Sequence, residues 1–239
     1  MSVYMLHKAS ERGVAEHGWL HSRFSFSFAN WYNPSKMGFG VLRVINDDVI
    51  DADSGFDLHP HDNMEIVTIV MEGAVTHGDS MGNEGRVSVG EVQVMSAGTG
   101  VVHSEHNNAL EDELKLFQIW ILPKERGIEP RYDQKSFGAT WKQNALQLLV
   151  SPDGRNDSLF IHQDSFVYRG ALLDGKTQEY QLNDAAKNGV YLLVIDGSMK
   201  VDGHILNTRD AIGVSEADSI TIVANADARF LLFEVPMKL

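Results

Sequence analysis

The chain is interrupted too often to build long helices. Runs rich in Val, Ile, Leu and aromatic residues recur at Phe39 to Ile45, Glu65 to Met71, Arg86 to Val89, Glu91 to Met95, Leu114 to Leu122, Ala145 to Val150, Val190 to Ile195, Ser219 to Val223 and Phe230 to Val235, each bounded by Gly, Asn, Asp or Pro. Their length and β-branched content favour strands over helices of ten or more residues. The turn chemistry agrees: Asp196-Gly197 and Asp202-Gly203 bracket a short segment, and Glu72-Gly73, Met81-Gly82-Asn83 and Asn188-Gly189 punctuate in the same way. The expected class is all-β, a sandwich or barrel. The stretch from Phe24 to Tyr32 and on to Phe39 alternates apolar with polar residues and reads as a half-buried strand that belongs to the core.

The pattern occurs twice. Ile69 to Thr76 is followed by Val89 to Ala97, and Leu193 to Lys200 by Thr208 to Ser215, each reading strand, acidic-Gly turn, strand, second turn and strand. Two copies of one β unit account for this, with the chain divided into residues 1–135 and 136–239 and the polar stretch Asp153 to Asp157 as a further candidate boundary.

Composition removes several chemistries. With no cysteine there are no disulfides, thiolate metal sites or cysteine nucleophiles, so a metal must be held by His, Asp or Glu. A formal net charge of −13 repels phosphate backbones and anionic membranes, which argues against direct nucleic-acid binding. The first residues lack a basic segment followed by a long apolar one, and no stretch approaches the ~18 apolar residues of a membrane span, so no membrane is expected and the cytoplasm is the expected compartment. Walker loops, GxGxxG fingerprints at a strand-to-helix junction and GxSxG elbows are absent.

The histidines remain. Residues i and i+2 of an extended chain share a face, so His59 and His61 can converge on one point, as can His103 and Glu105. Two such pairs on facing strands present three imidazoles and a carboxylate, a donor set that suits a divalent first-row metal and leaves positions open for substrate. Pro60 fits a strand end or edge, and Gly98 and Gly100 allow a tight turn before His103. Counting along a regular strand also keeps Glu65 on the histidine face, where it competes with Glu105 for the carboxylate position or orients an imidazole from behind. His77, His106, His162 and His204 stand beside turn or polar residues and, like His7, His17 and His21, read as solvated or structural. No second metal site is expected.

The spacing Gly55, His59, His61, Glu65 and Gly73, then Gly90, Ser96, Gly98, His103 and Asn107, resembles the two motifs of the cupin superfamily. The strings His59-Pro60-His61, Met95 to Gly98 and His103-Ser104-Glu105 resemble its pirin branch. Phe26 to Trp31, Met37 to Phe39, Asp79 to Asn83, Gln118 to Trp120 and Pro130 to Tyr132 are similar to its bacterial quercetin 2,3-dioxygenase members. Departures are Asp62-Asn63, where pirins usually carry a basic residue, and a gap from Glu65 to Gly73 one residue longer than the general pattern. The resemblance implies a bicupin of two stacked jelly-roll barrels, with metal ligands His59, His61, His103 and Glu105 in the N-terminal barrel and none in the C-terminal one. It favours Glu105 over Glu65.

The expected activity is then metal-dependent oxygenolytic opening of a flavonol, with O2 as co-substrate, carbon monoxide released and Glu105 accepting a proton. The ion is a divalent transition metal, iron ahead of nickel, cobalt, manganese, copper or zinc. Two alternatives share the ligands: a metal-binding regulatory pirin that acts on protein partners without turnover, and an oxygen-independent isomerase.

Overall fold

The structure, a computed structural model describing residues 2–239, builds its regular elements from strands, with two single 3-10 turns at Ala9–Glu11 and Arg155–Asp157 besides. In chain order the strands are β1 (Val3–His7), β2 (Gly13–Glu16), β3 (Leu20–Phe24), β4 (Leu42–Ile50), β5 (Ser54–His61), β6 (Glu65–Glu72), β7 (Ala74–Asp79), β8 (Glu84–Ser88), β9 (Glu91–Ser96), β10 (Val101–Asn107) and β11 (Leu114–Ile121). They continue with β12 (Arg131–Ser136), β13 (Ala145–Ser151), β14 (Leu159–Phe160), β15 (Phe166–Leu172), β16 (Thr177–Gln181), β17 (Asn188–Asp196), β18 (Ser198–Val201), β19 (His204–Asn207), β20 (Ala211–Ser215), β21 (Ser219–Ala224) and β22 (Ala228–Pro236). Among the described residues no helix is long and apolar enough to cross a membrane.

Each half forms a seven-stranded and a four-stranded sheet. The N-terminal orders are β12-β9-β6-β11-β4-β3-β2 and β5-β10-β7-β8; the C-terminal orders are β1-β20-β17-β22-β15-β13-β14 and β16-β21-β18-β19. The two patterns superimpose strand for strand through β9 and β20, β6 and β17, β11 and β22, β4 and β15, and the small sheets likewise. The repeat read in the sequence is therefore real. β1 supplies an edge strand to the C-terminal sheet, pairing antiparallel with β20, although it precedes the N-terminal barrel in the chain.

Alternation explains the layering. In β11, Phe117, Ile119 and Ile121 point to one face and Leu114, Leu116, Gln118 and Trp120 to the other. The first set joins Ile45, Val67, Ile69, Val92 and Val94 in a core shared with Tyr191, Leu193, Leu231, Phe233 and Val235 of the C-terminal sheet. The two large sheets thus pack face to face, and each buries its other face inside its own barrel. Asp47 accepts from Arg12 at 3.2 Å and pairs with Arg209 at 2.9 Å, an ionic tie across the same seam. Phe117 is fully buried in this seam, so Phe117→Ala is expected to lower the unfolding free energy by about 3–5 kcal/mol, read as a shift of the denaturant midpoint.

The aromatic stretch after Phe24 departs from the expected strand. β3 ends at Phe24, and positive φ at Ala29, Gly38 and Gly40 breaks the extended alternation. The segment still serves the core: Phe26 and Phe39 are buried against Tyr191, at ring-centroid distances of 5.3 and 5.7 Å.

The two barrels differ in what fills them. Across the N-terminal large sheet, Gln93, Thr68, Gln118 and Asn46 lie in one register row on the inner face. The matching row of the C-terminal sheet is Ile212, Leu192, Leu232 and Tyr168. The C-terminal barrel is packed with apolar side chains, Tyr180 and Phe230 among them, and the N-terminal one carries this polar row between two smaller apolar clusters, around Leu114 and around Met95.

Candidate metal centre

The small N-terminal sheet carries the chemistry. β10 is its second strand, hydrogen-bonded to β5 on one side and β7 on the other, with His103 opposite His59 and Glu105 opposite His77. The ladder with β5 slips by one residue here, Glu105 facing Phe56, so β5 carries a bulge at Asp57 and Leu58 while the pairing of β10 with β7 stays regular. Before β10 the chain turns at Gly98, whose φ of 48° and position, where a Cβ would stand 2.1 Å from the Ile128 carbonyl oxygen, admit only glycine.

His59, His61 and His103 come together. Their rings lie 4.4 Å (His59 to His103), 4.9 Å (His59 to His61) and 4.9 Å (His61 to His103) apart between centroids. One nitrogen from each falls within 4.8 Å of the others. His59 donates Nδ1–H to the Asp57 carbonyl at 2.7 Å, which leaves Nε2 with its lone pair toward the cluster. Burial, reinforced by His59, pushes the His61 imidazole down to about 4, and burial with His59 and His61 pushes His103 down to about 3. Both are neutral at physiological pH, the form that binds a metal. Trp120 closes the cluster with its ring 4.9 Å from His61, its Nε1–H buried without a partner.

Glu105 stands on the inner side. Its carboxylate accepts from Gln118 Nε2 at 2.8 Å and from Thr68 Oγ1 at 3.4 Å, and complete burial raises its pKa. It lies within 4.8 Å of His103 and of His77, forming a second group that shares His103 with the first. His77 is the residue that the sequence reading passed over. It is fully buried, donates Nε2–H to Asp79 Oδ2 at 3.0 Å and stacks on Tyr132 at 4.5 Å. The available signal was parity: Val75, His77 and Asp79 share one face of β7, and an apolar Val75 marks that face as inward.

Glu65 is turned away from the imidazoles. The loop at Asp62 to Met64, with Asn63 at φ 46°, breaks the strand that the i+2 count assumed. Glu65 instead accepts from Ser96 Oγ at 2.7 Å and from the His162 amide at 3.1 Å, where the C-terminal half approaches. Burial pushes its carboxyl up to about 7. The folded protein then holds a proton that the unfolded chain loses near pH 4.3, so this group's contribution to stability falls as pH rises from about 4.5 to 7. Glu65→Gln keeps an acceptor for both donors, and its unfolding free energy is expected to gain on the parent protein by on the order of 1–3 kcal/mol between about pH 5 and pH 7.5. Parallel slopes for the two proteins would refute this.

The donor set fits a divalent metal. Both His103 nitrogens and His77 Nδ1 are buried with no hydrogen-bond partner. Leaving a buried polar atom unpaired costs about 1–3 kcal/mol each, and ligation of an ion removes that cost. Three imidazoles with a carboxylate suit iron, nickel, cobalt, manganese, copper or zinc alike. The C-terminal barrel has no such set: in the positions matching His59, His61, His103, Glu105 and His77 it carries Tyr180, Leu182, Ile220, Ile222 and Val201, all buried. A cleft of about 340 Å³ borders the cluster at His61 alone; Pro60 and Val102, which also line it, face the outer side of the β5–β10 pair, away from the imidazoles. A larger one, about 740 Å³ near Lys187 and Met237, lies away from every imidazole of the cluster.

Two stacked jelly-roll barrels, one with convergent imidazoles and the other with a tyrosine and aliphatic residues in their place, define a bicupin. The family model described as Pirin matches residues 6–121, and that described as quercetinase C-terminal cupin domain matches residues 148–235. The chain is 49% identical over 231 residues to the quercetin 2,3-dioxygenase of Escherichia coli K12, covering 97% of this chain and 98% of that protein. It is 42% identical over 224 residues to a pirin-like protein of Caulobacter vibrioides, covering 93% and 95%. The crystal structure of the Escherichia coli bacterial pirin YhhW in complex with nickel(II) superimposes with a TM-score of 0.92 at 47% identity, covering 98% of this chain and 99% of that one. The chain belongs to the pirin family of the cupin superfamily.

Proposed function

We propose that the chain is a metal-dependent dioxygenase of the quercetin 2,3-dioxygenase type, opening a flavonol ring with O2 and releasing carbon monoxide. The observation that carries the reading is the convergence of His59, His61 and His103 beside the buried Glu105, in a chain similar over nearly its whole length to a relative of that name. His59, His61, His103 and Glu105 are the assigned ligands of one divalent ion, iron ahead of nickel, although the similar bacterial pirin was crystallised with nickel(II). When bound, the ion supplies Lewis acidity toward a deprotonated phenolic oxygen.

The protein's own residues do the rest. Glu105, whose affinity for a proton burial raises, takes the proton of the flavonol 3-hydroxyl at a carboxylate oxygen, while Gln118 Nε2–H and Thr68 Oγ1–H donate to the carboxylate and hold it in place. The unpartnered Trp120 Nε1–H offers a hydrogen bond to a ligand oxygen next to His61.

Oxygen uptake and loss of quercetin absorbance, measured with metal-reconstituted protein beside metal-free protein and His61→Ala, test the proposal. Turnover that disappears in both controls is expected. Stoichiometric metal binding without consumption of O2 or flavonol would overturn the dioxygenase reading and favour a regulatory or oxygen-independent role.

A further inference from the structure

We propose that the N-terminal barrel holds a second, deeper coordination position for the ion, made by His77, His103 and Glu105. The inference rests on the reading of the cluster as a metal centre and adds a residue, His77, and a place to it.

The strand order is the first reason. β10 runs between β5 and β7, so His103 has the outer imidazoles His59 and His61 on one neighbour and His77 on the other. Neither nitrogen of His103 has a partner. Glu105 lies with the inner group, held there by Gln118 and Thr68.

His77 is prepared as a ligand. Its Nε2 donates to Asp79, and Asp79 is fixed in turn by the Met81 and Asn83 amides at 2.9 and 3.0 Å and by Asn83 Nδ2 at 2.9 Å. A carboxylate that accepts from one ring nitrogen sets the tautomer, leaving the lone pair on the other, and this is the usual environment of a metal-bound imidazole. That other nitrogen, Nδ1, is buried and has no partner. Stacking on Tyr132 fixes the ring plane.

The inner donors lie within 4.8 Å of one another, and donors ~2.0–2.2 Å from a common ion stand roughly 3–4 Å apart, so a small contraction closes the site. The C-terminal barrel gives an internal control. There the position matching His77 is Val201, and the positions matching His103 and Glu105 are Ile220 and Ile222, so all three inner donors are apolar in the barrel that holds no imidazole cluster. The outer triad offers three imidazoles, the inner one two imidazoles and a carboxylate. The harder ions Mn2+ and Fe2+ are drawn inward, and Ni2+ and Cu2+ outward.

The test is cobalt(II) binding to the chelator-stripped full chain, read by the d–d absorption of the ion and by calorimetry. His59→Ala/His61→Ala removes the outer pair; it is expected to keep one Co2+ per chain. Adding His77→Phe, which retains a ring against Tyr132, or Glu105→Gln, which retains the volume and the contacts to Gln118 and Thr68, is expected to weaken that binding by at least about 100-fold. Asp79→Asn is expected to weaken it by about 10–100-fold. Circular dichroism of the metal-free variants checks the fold, and either of the two triple variants suffices if the other does not fold. The inner position is overturned if His59→Ala/His61→Ala binds no cobalt while the parent binds one, or if its cobalt ignores His77 and Glu105. A parent chain that binds no cobalt overturns the metal reading itself.

Discussion

His103→Ala is expected to give a folded protein that binds no stoichiometric divalent metal and turns over flavonol at least about 10³-fold more slowly, since metal stabilisation of developing charge is worth several kcal/mol and each 1.36 kcal/mol is a factor of ten. His103 is the one residue common to both donor groups, so its loss strikes every arrangement of ligands the barrel offers. The fold should survive for a physical reason. Neither ring nitrogen makes a hydrogen bond, so the substitution breaks none and removes two buried unpaired atoms, offsetting part of the cost of the cavity it leaves. The matching position of the C-terminal barrel already functions structurally with Ile220. Metal analysis after dialysis, a melting curve of the metal-free protein and flavonol turnover check the three parts. Retained metal at one per chain with near-normal turnover would remove His103 from the site.

The same comparison shows what the sequence could carry. Strand identity was legible in β6, β9, β11, β13, β17 and β22 because each is a short apolar run closed by a turn residue, and the repeated acidic-Gly turn tied β6 to β17. The i, i+2 rule placed His59 with His61 because the pairing of β5 with β10 is regular from one to the other. It misjudged Glu65, because one residue of positive φ at Asn63 resets the parity and sends that side chain toward the C-terminal half. The aromatic segment after Phe24 misled in the same way: its alternation was genuine, but Ala29, Gly38 and Gly40 fold it into a loop. His77 escaped for a different reason. Its significance comes from the pairing of β7 with β10, which sets it opposite Glu105, and that adjacency is tertiary. The polar row Gln93, Thr68, Gln118 and Asn46 was hidden likewise, since each residue sits singly within an otherwise apolar strand and the row exists only across four of them.

Glu105→Gln separates the two roles assigned to that carboxylate. Glutamine matches its volume, and the Gln118 and Thr68 side chains can still pair with the new amide, so the fold and the outer imidazoles are expected to stand. At saturating metal, loss of the proton acceptor should lower kcat by about 10²–10⁴-fold, the range for removal of a positioned general base, while His59, His61 and His103 keep the ion. The flavonol's own acidity provides the discriminating variable. An analogue whose 3-hydroxyl is already ionised needs no base, so the variant should recover activity with it and on raising the pH, and the parent protein should show neither gain. Loss of metal in proportion to loss of rate would make Glu105 a ligand alone. Unchanged turnover with the ion bound would show that the 3-hydroxyl proton goes elsewhere, and the buried carboxylate would then serve only to hold Gln118 and Thr68 against the inner wall of the barrel.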